Sequence, residues 1–190
     1  LSSYDLLVSS PIGSGKTAAF VLPALNLIAC EQRPQSAKAP AHPTNTLRRG
    51  RPATRRPCTP AQPRMLVLTP TRELALQVTA ASDRYAVRLR QVNAVAILGG
   101  MPYAKQMELL ARNPEILVAT PGRLIDHLNS GKIDFSLLRV LVLDEADRML
   151  DMGFIEDIET IVGATPTTRQ TLLFSATLEG TVGELAQRMT

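Results

Sequence analysis

Six short β-rich runs recur along the chain and constrain its fold more than any other feature: Asp5–Ser9, Met65–Thr69, Val92–Leu98, Ile116–Ala119, Val140–Leu143 and Gln170–Ser175. Val140–Leu143 reads VLVL, apolar at every position rather than at every second one. A strand of that kind buries both faces, as in a parallel sheet covered by helices on either side. Helical stretches separate most of the runs, over Lys16–Cys30, Thr71–Arg90, Pro102–Ala111 and Ile155–Ile161. The alternation predicts an α/β domain, a mostly parallel sheet flanked by helices on both faces. Right-handed crossovers bring the strand C-termini to one edge, and ligands of such sheets bind there. The residues that directly follow the runs are therefore the candidates for function.

At 190 residues, 45% of them hydrophobic, the chain suffices for one domain with a full core. No apolar run approaches the roughly 20 residues that span a bilayer, so no membrane is expected as a partner. Cys30 and Cys58 are the two cysteines. They are too few for a disulfide framework, lack metal-ligand spacing, and fit a cytoplasmic protein. The formal charge of +4 comes from one segment. Residues 33–64 hold eight of the 21 basic residues and no acidic one, so the other 13 stand against 17 acidic side chains. The same segment holds seven of the 14 prolines. It is expected to be a disordered, solvated loop inserted into the compact domain at about 33–64. Two readings stay open for it, a tolerated surface insertion and a basic arm that attracts nucleic acid through phosphate contacts. It has no aromatic residue on which a base could stack.

The first run leads into SPIGSGKT, Ser10–Thr17, and then into the apolar stretch AAFVLPALNLI. A glycine-rich loop between strand and helix aims backbone N–H groups at phosphate oxygens. Gly13 and Gly15 permit the turns and the close approach that side chains would block, and Ser10 stands where the strict pattern has glycine. Lys16 would neutralise phosphate charge, and the Thr17 hydroxyl would ligate Mg2+. A second signal, LVLDEAD, ends the fifth run at Leu143 and delivers two carboxylates to the sheet edge. Asp144 can hold Mg2+ through water, and Glu145 can orient and deprotonate an attacking water. The competing reading is that Asp144 caps the following helix and Glu145 lies in its first turn.

Asp144-Glu145-Ala146-Asp147 spells the sequence after which the DEAD-box family is named, and other signatures stand around it in family order. PTREL at Pro70–Leu74 resembles motif Ia, Gly99-Gly100 the GG motif, TPGR at Thr120–Arg123 motif Ib, and SAT at Ser175–Thr177 motif III. Outside the basic segment, the whole chain resembles the N-terminal RecA-like, ATP-binding domain of DEAD-box ATP-dependent RNA helicases of the bacterial type. The resemblance implies a RecA-like P-loop NTPase fold and an enzyme that uses ATP and Mg2+ and has RNA as a partner. By the resemblance Ser10, Gly13, Ser14, Gly15, Lys16 and Thr17 bind nucleotide, Thr17 and Asp144 hold the metal, and Asp144, Glu145 and Lys16 serve catalysis. Arg72, Gly100, Thr120, Gly122 and Arg123 would grip the RNA backbone, and arginine forks, glycines and helix N-termini suit phosphate better than bases. The competing reading for Arg72 and Arg123 is salt-bridging to nearby acids. Asp147, Ser175 and Thr177 would couple hydrolysis to strand separation, partly by contact between them.

The family's Q motif and its second RecA-like domain, with an arginine finger, do not occur among these 190 residues. The stretch is thus expected to be a fragment, nearly inactive alone, that meets its second domain in a longer parent. Ile12 departs from the family pattern, which has threonine there. One alternative is a degenerate or truncated domain that binds RNA or nucleotide without turnover. Another is a P-loop NTPase acting on DNA or driving transport, which would not carry PTREL, TPGR and SAT in this order. His127, in RLIDHL, is expected on a partly exposed helix face, and His42 in the insert. The methionines and Phe154 of RMLDMGF are expected in the core.

Overall fold

The computed structural model describes residues 4–9, 14–31, 59–89, 92–177 and 180–189. In chain order they form β1 (Leu6–Ser9), α1 (Lys16–Cys30), β2 (Met65–Leu68), α2 (Arg72–Tyr85), β3 (Ala94–Ile97), α3 (Tyr103–Leu110), β4 (Ile116–Ala119) and α4 (Pro121–Asn129). Then follow β5 (Val140–Leu143), α5 (Ala146–Asp151), α6 (Ile155–Gly163), β6 (Gln170–Ser175) and α7 (Thr181–Met189). All six strands run parallel in the order β1-β6-β5-β2-β4-β3.

The wholly apolar strands are explained by two cores. In β2, β4 and β5 every residue is buried. Met65, Val67, Ile116, Val118, Val140 and Val142 face one layer, with Phe20, Val21 and Ala24 of α1 and Ala75 and Val78 of α2. Their neighbours Leu66, Leu68, Leu117, Ala119, Leu141 and Leu143 face the other, with Leu124 of α4, Met149 of α5, Ile158 of α6 and Leu185 of α7. The side chains of a strand alternate between the faces of a sheet, so a strand covered on both sides needs apolar residues throughout. Parallel pairing in register, with Leu68 opposite Ala119 and Leu143 and with Ser9 opposite Ser175, puts every strand C-terminus on one edge. No helix among the described residues is long and apolar enough to cross a membrane.

The expected insert is corrected at its C-terminal end. Residues 59–64 belong to the folded body; residues 33–58, with His42 and Cys58, lie outside the described residues, as do Ser10, Ile12 and Gly13. Ala61 is buried and forms a parallel bridge with Ile133, held by Ala61 N–H to the Lys132 carbonyl and Asp134 N–H to the Ala61 carbonyl, both 2.9 Å. Arg64 is only 5% exposed. Its guanidinium donates to the carbonyls of Ile28 at 3.1 Å and Glu31 at 3.0 Å and to the Glu31 carboxylate at 2.8 Å. It thereby satisfies orphan carbonyls at the C-terminus of α1, where a cation also complements the helix dipole. Composition counts Arg64 with a solvated charge run, whereas its position next to β2 makes it a helix cap. Glu31 also accepts from Arg139 at 2.7 Å. Partial burial alone would raise the Glu31 pKa, but its bonds to Arg139 and Arg64 hold it below the ordinary value.

Candidate functional site

The edge divides into two halves that follow the strand order. The loops after β1, β6 and β5 carry Ser14–Thr17, Ala176-Thr177 and Asp144–Asp147. Those after β2, β4 and β3 carry Thr71-Arg72, Thr120–Arg123 and Gly99-Gly100.

In the first half α1 starts at Lys16, directly after Gly15, whose backbone is left-handed at φ 84°. A side chain there would be strained. Gly15 offers no capping side chain, and the first turn of α1, with half-buried Thr17, holds no acidic residue. An anion is the natural partner of such a helix start. Lys16 Nζ lies 3.8 Å from Asp144 Oδ1. Asp144 is 2% exposed, and its N–H donates to the Leu68 carbonyl at 3.0 Å, so β2 fixes its backbone. Burial, and secondarily the charge of Glu145, raise the Asp144 pKa above its ordinary value, against the pull of Lys16 and of a backbone hydrogen bond.

Asp144 Oδ1 accepts no hydrogen bond. A buried carboxylate oxygen without a hydrogen-bond donor, on the same sheet edge as the start of α1, fits a hard cation or its bound water. Among the described residues no three His, Cys, Asp or Glu side chains gather around a metal position.

Neither carboxylate caps α5. Its N-cap is Glu145 itself, which makes no side-chain cap bond and is left-handed at φ 56°, ψ 53°. For a residue with a Cβ this backbone costs about 1–2 kcal/mol. Glu145 lines a cleft of about 510 Å³ with Lys16, Asp147, Arg148 and Ala176. Asp147 ties that cleft to the third loop. Its Oδ2 accepts the Ala176 N–H at 3.1 Å, and its Oδ1 accepts the Arg148 N–H at 2.9 Å. The Ser9 hydroxyl donates to the Ala176 carbonyl at 3.4 Å, and Thr177 N–H donates to the buried Ser175 Oγ at 3.3 Å. One carboxylate thus holds the peptide at the end of β6 to the helix that begins beside Glu145.

Asp144 also yields a stability test. Its folded-state pKa is raised, so the stability it contributes is full below the ordinary carboxylate range and is lost as pH rises through the raised value. Asp144→Asn is expected to keep or raise the thermal midpoint at neutral pH, with the difference vanishing in acid, while Mg2+-dependent nucleotide binding is lost. Differential scanning calorimetry across pH checks this, and a lower midpoint at pH 7 contradicts it.

In the second half Arg72 opens α2, whose N-cap Thr71 accepts the Leu74 N–H at 3.3 Å. Gly100 has φ 76°, and a Cβ added there would come within 2.7 Å of Arg72 Nη1. The left-handed backbone favours glycine here, and a side chain would have to push the tip of Arg72 aside. Among the described residues no carboxylate forms an ion pair with Arg72. Thr120 donates its N–H to the Ile97 carbonyl at 3.3 Å and is the N-cap of α4, which has Pro121 at its start and no acid in its first turn. Arg123 does pair with an acid, Asp126, at 3.7 Å. That pair is partly exposed, and such pairs contribute about 0–1 kcal/mol, so the arginine is easily diverted to another anion. A Cβ on Gly122 would meet only Asp157 Oδ2 at 3.8 Å, ordinary contact, so packing alone does not demand glycine there.

Two residues of this half escaped the sequence. His127 is fully buried, contrary to the expected half-exposed helix face. It stacks on Tyr103 at 4.8 Å and meets Gln106, equally buried, at 3.1 Å. A lone polar residue on an amphipathic helix gives no sign of the partner that lets it be buried. In RMLDMGF, Met149 is fully buried as expected, but Met152 is 49% exposed at the end of α5.

The chain matches the family model "DEAD/DEAH box helicase" over residues 1–185. It is 44% identical over 188 residues to the ATP-dependent RNA helicase DeaD of Klebsiella pneumoniae, covering 99% of this chain and 25% of that protein. To the ATP-dependent RNA helicase SrmB of Escherichia coli it is 40% identical over 190 residues, covering 37% of the relative. It thus spans about a quarter to a little over a third of these relatives. Its fold superposes on the yeast DEAD-box splicing factor Prp28 with a TM-score of 0.80 at 31% identity, covering 97% of this chain and 39% of that one. For a hypothetical ATP-dependent RNA helicase from Sulfolobus tokodaii the TM-score is 0.75 at 34% identity, covering 98% of this chain and 46% of that one. A six-stranded parallel RecA-like sheet, the ordered motifs along its edge and a family match across nearly its whole length agree: the chain belongs to the DEAD/DEAH box helicases.

Proposed function

We propose that this chain is the first, ATP- and Mg2+-binding RecA-like domain of a cytoplasmic ATP-dependent RNA helicase, and that it couples ATP hydrolysis to the opening of short RNA duplexes together with a second RecA-like domain. The observation that carries this reading is the divided edge. A phosphate cradle with two carboxylates occupies one half and a row of anion-suited loops the other, on one rigid sheet.

The residues divide the work by position. Ser10, Gly13, Ser14 and Gly15 would shape the loop around the ATP phosphates, and Lys16 would offset their charge. Thr17 and Asp144 would hold Mg2+, which would supply positive charge against that developing on the phosphates. Lys16 then leaves its contact with Asp144 for the phosphates. Glu145 orients the attacking water and takes its proton. Asp147 senses the outcome through its bond to Ala176, and Ser175 and Thr177 lie on the same strap. Arg72, Gly100, Thr120, Gly122 and Arg123 would hold one RNA strand by its phosphates and 2′-hydroxyls, with little reading of bases.

The test is ATP turnover by the protein as it is naturally made, with RNA or DNA of the same sequence. Single-stranded RNA is expected to raise turnover about tenfold or more and DNA far less, since the 2′-hydroxyl distinguishes the two. Equal stimulation would favour an NTPase acting on DNA. Tight binding of ATP and RNA without phosphate release would favour a clamp that does not turn over.

A further inference from the structure

Gln106 lies in α3, outside every motif discussed above, yet its side chain is wholly buried between two of the loops assigned to RNA. Its amide nitrogen donates to the Leu98 carbonyl at 3.2 Å and to the Met101 carbonyl at 2.8 Å. These two carbonyls bracket Gly99-Gly100, so one carboxamide ties both ends of that turn. The amide orientation follows from chemistry, because the opposite one would press an oxygen against two carbonyl oxygens. With both N–H donors used, Oε1 points to His127 Nε2 at 3.1 Å and needs a donor there. The His127 proton therefore sits on Nε2. Nδ1, buried and without a hydrogen-bond partner, keeps its lone pair. A neutral ring fits these surroundings: burial foremost, then Arg123 and Lys132, lower its pKa, with Asp126 opposing. Tyr103, stacked on the imidazole, closes the cluster.

We propose that Gln106 and His127 are positioning residues of the RNA surface: the carboxamide pins the Gly99-Gly100 turn and keys it to α4, so that the turn, the Arg72 guanidinium lying over it and the Thr120–Arg123 segment present one preset spacing to the phosphates. The proposal rests on the reading of those loops as RNA contacts. Neither residue touches RNA. They act by fixing two loops before RNA arrives, which spares the ordering cost that flexible loops would incur on binding.

A buried polar pair that only stabilised the fold could be replaced by apolar side chains of similar size with little effect on RNA. The variants Gln106→Leu, His127→Leu, their double and His127→Gln, made in the natural protein, separate the two roles. Gln106→Leu, which removes both the pin on the turn and the key to α4, is expected to raise the RNA concentration that half-saturates ATP turnover by about tenfold, and His127→Leu, which removes only the key, by about threefold. The KM for ATP and kcat at saturating RNA should stay within about twofold, because the cradle lies on the other half of the edge. The double variant should equal Gln106→Leu, since the link that His127→Leu breaks is already lost with the carboxamide. His127→Gln, which offers an N–H to Oε1, should recover most of the RNA affinity. Wild-type half-saturation in the leucine variants, or no recovery in His127→Gln, overturns the proposal. Should a leucine variant fail to fold, the imidazole nitrogen shifts of the wild type decide at neutral pH, with the Nε2-protonated tautomer supporting the link and the Nδ1-protonated one refuting it. Arg72→Ala separates this inference from its premise: if RNA binding weakens in Arg72→Ala but not in the Gln106 and His127 variants, the positioning role alone fails. If it is unchanged in Arg72→Ala as well, the RNA reading fails with it.

Discussion

Glu145→Gln is expected to leave ATP bound and nearly stop its hydrolysis. Glutamine keeps the length and shape of the side chain, and the N-cap of α5 asks for no carboxylate, since Glu145 makes no capping bond. The left-handed backbone at φ 56° is no harder for glutamine than for glutamate, so the thermal midpoint should hardly move. What disappears, under the proposed function, is the base. Glu145 lines the cleft with Lys16, whereas neighbouring Asp144 is buried against that lysine and suited to the metal. Of the other carboxylates lining that cleft, Asp147 is already bonded to two backbone N–H groups, and Asp151 stands at the far end of α5. Positioned general bases contribute about 10²–10⁴-fold, so single-turnover phosphate release should slow by that order. Titration with a fluorescent nucleotide should give an ATP affinity within about threefold of wild type, since uniform binding is untouched. Turnover within about tenfold of wild type would remove Glu145 from the role of base.

The features legible in the sequence are those that a short stretch of chain decides for itself. Val140–Leu143 announces a strand covered on both faces because the pattern needs only four residues, and the structure places it between β2 and β6. Asp144 and Glu145 follow it to the sheet edge for the same local reason. What could not be read depends on contacts far along the chain. Arg64 stands at the end of a run of arginines and prolines, and only its meeting with the last carbonyls of α1, 33–36 residues earlier, turns it into a cap. Gln106 and His127 are 21 residues apart on two helices, and nothing in either helix's periodicity names the other. The left-handed Glu145 is hidden too, because a backbone dihedral at the end of a strand leaves no mark in residue type unless glycine supplies it. The division of the edge into halves also depends on the strand order. Along the chain β3 and β4 come between β2 and β5, whereas in the sheet β2 and β5 pair directly, with Leu68 opposite Leu143.

Residues 1–190 made as a separate protein should fold, bind Mg2+ and ATP weakly, and neither unwind RNA nor hydrolyse ATP at a rate that RNA much increases. The cleft beside Lys16 shows why. Lys16 and Arg148 line it against three carboxylates, those of Glu145, Asp147 and Asp151. Catalysis of phosphoryl transfer is mostly positioning and stabilisation of charge on the transferred group. A wall with more anions than cations offers little of that stabilisation. Under the proposed function the rest comes from a second domain closing over the γ-phosphate. An arginine finger delivered in this way is worth roughly 10³–10⁵ in rate in related NTPases. RNA would likewise meet only the row formed by Arg72, Gly100 and Thr120–Arg123, so closure and strand bending are lost together. A second domain added in trans should restore little, because a linker provides the effective concentration, of millimolar order, that free domains lack. Steady-state ATP turnover and a duplex-unwinding assay on residues 1–190, with and without RNA, measure this directly. Robust RNA-stimulated turnover or strand separation by these residues alone would mean that the cleft already contains its transition-state cation, and Arg148 would be the first side chain to replace.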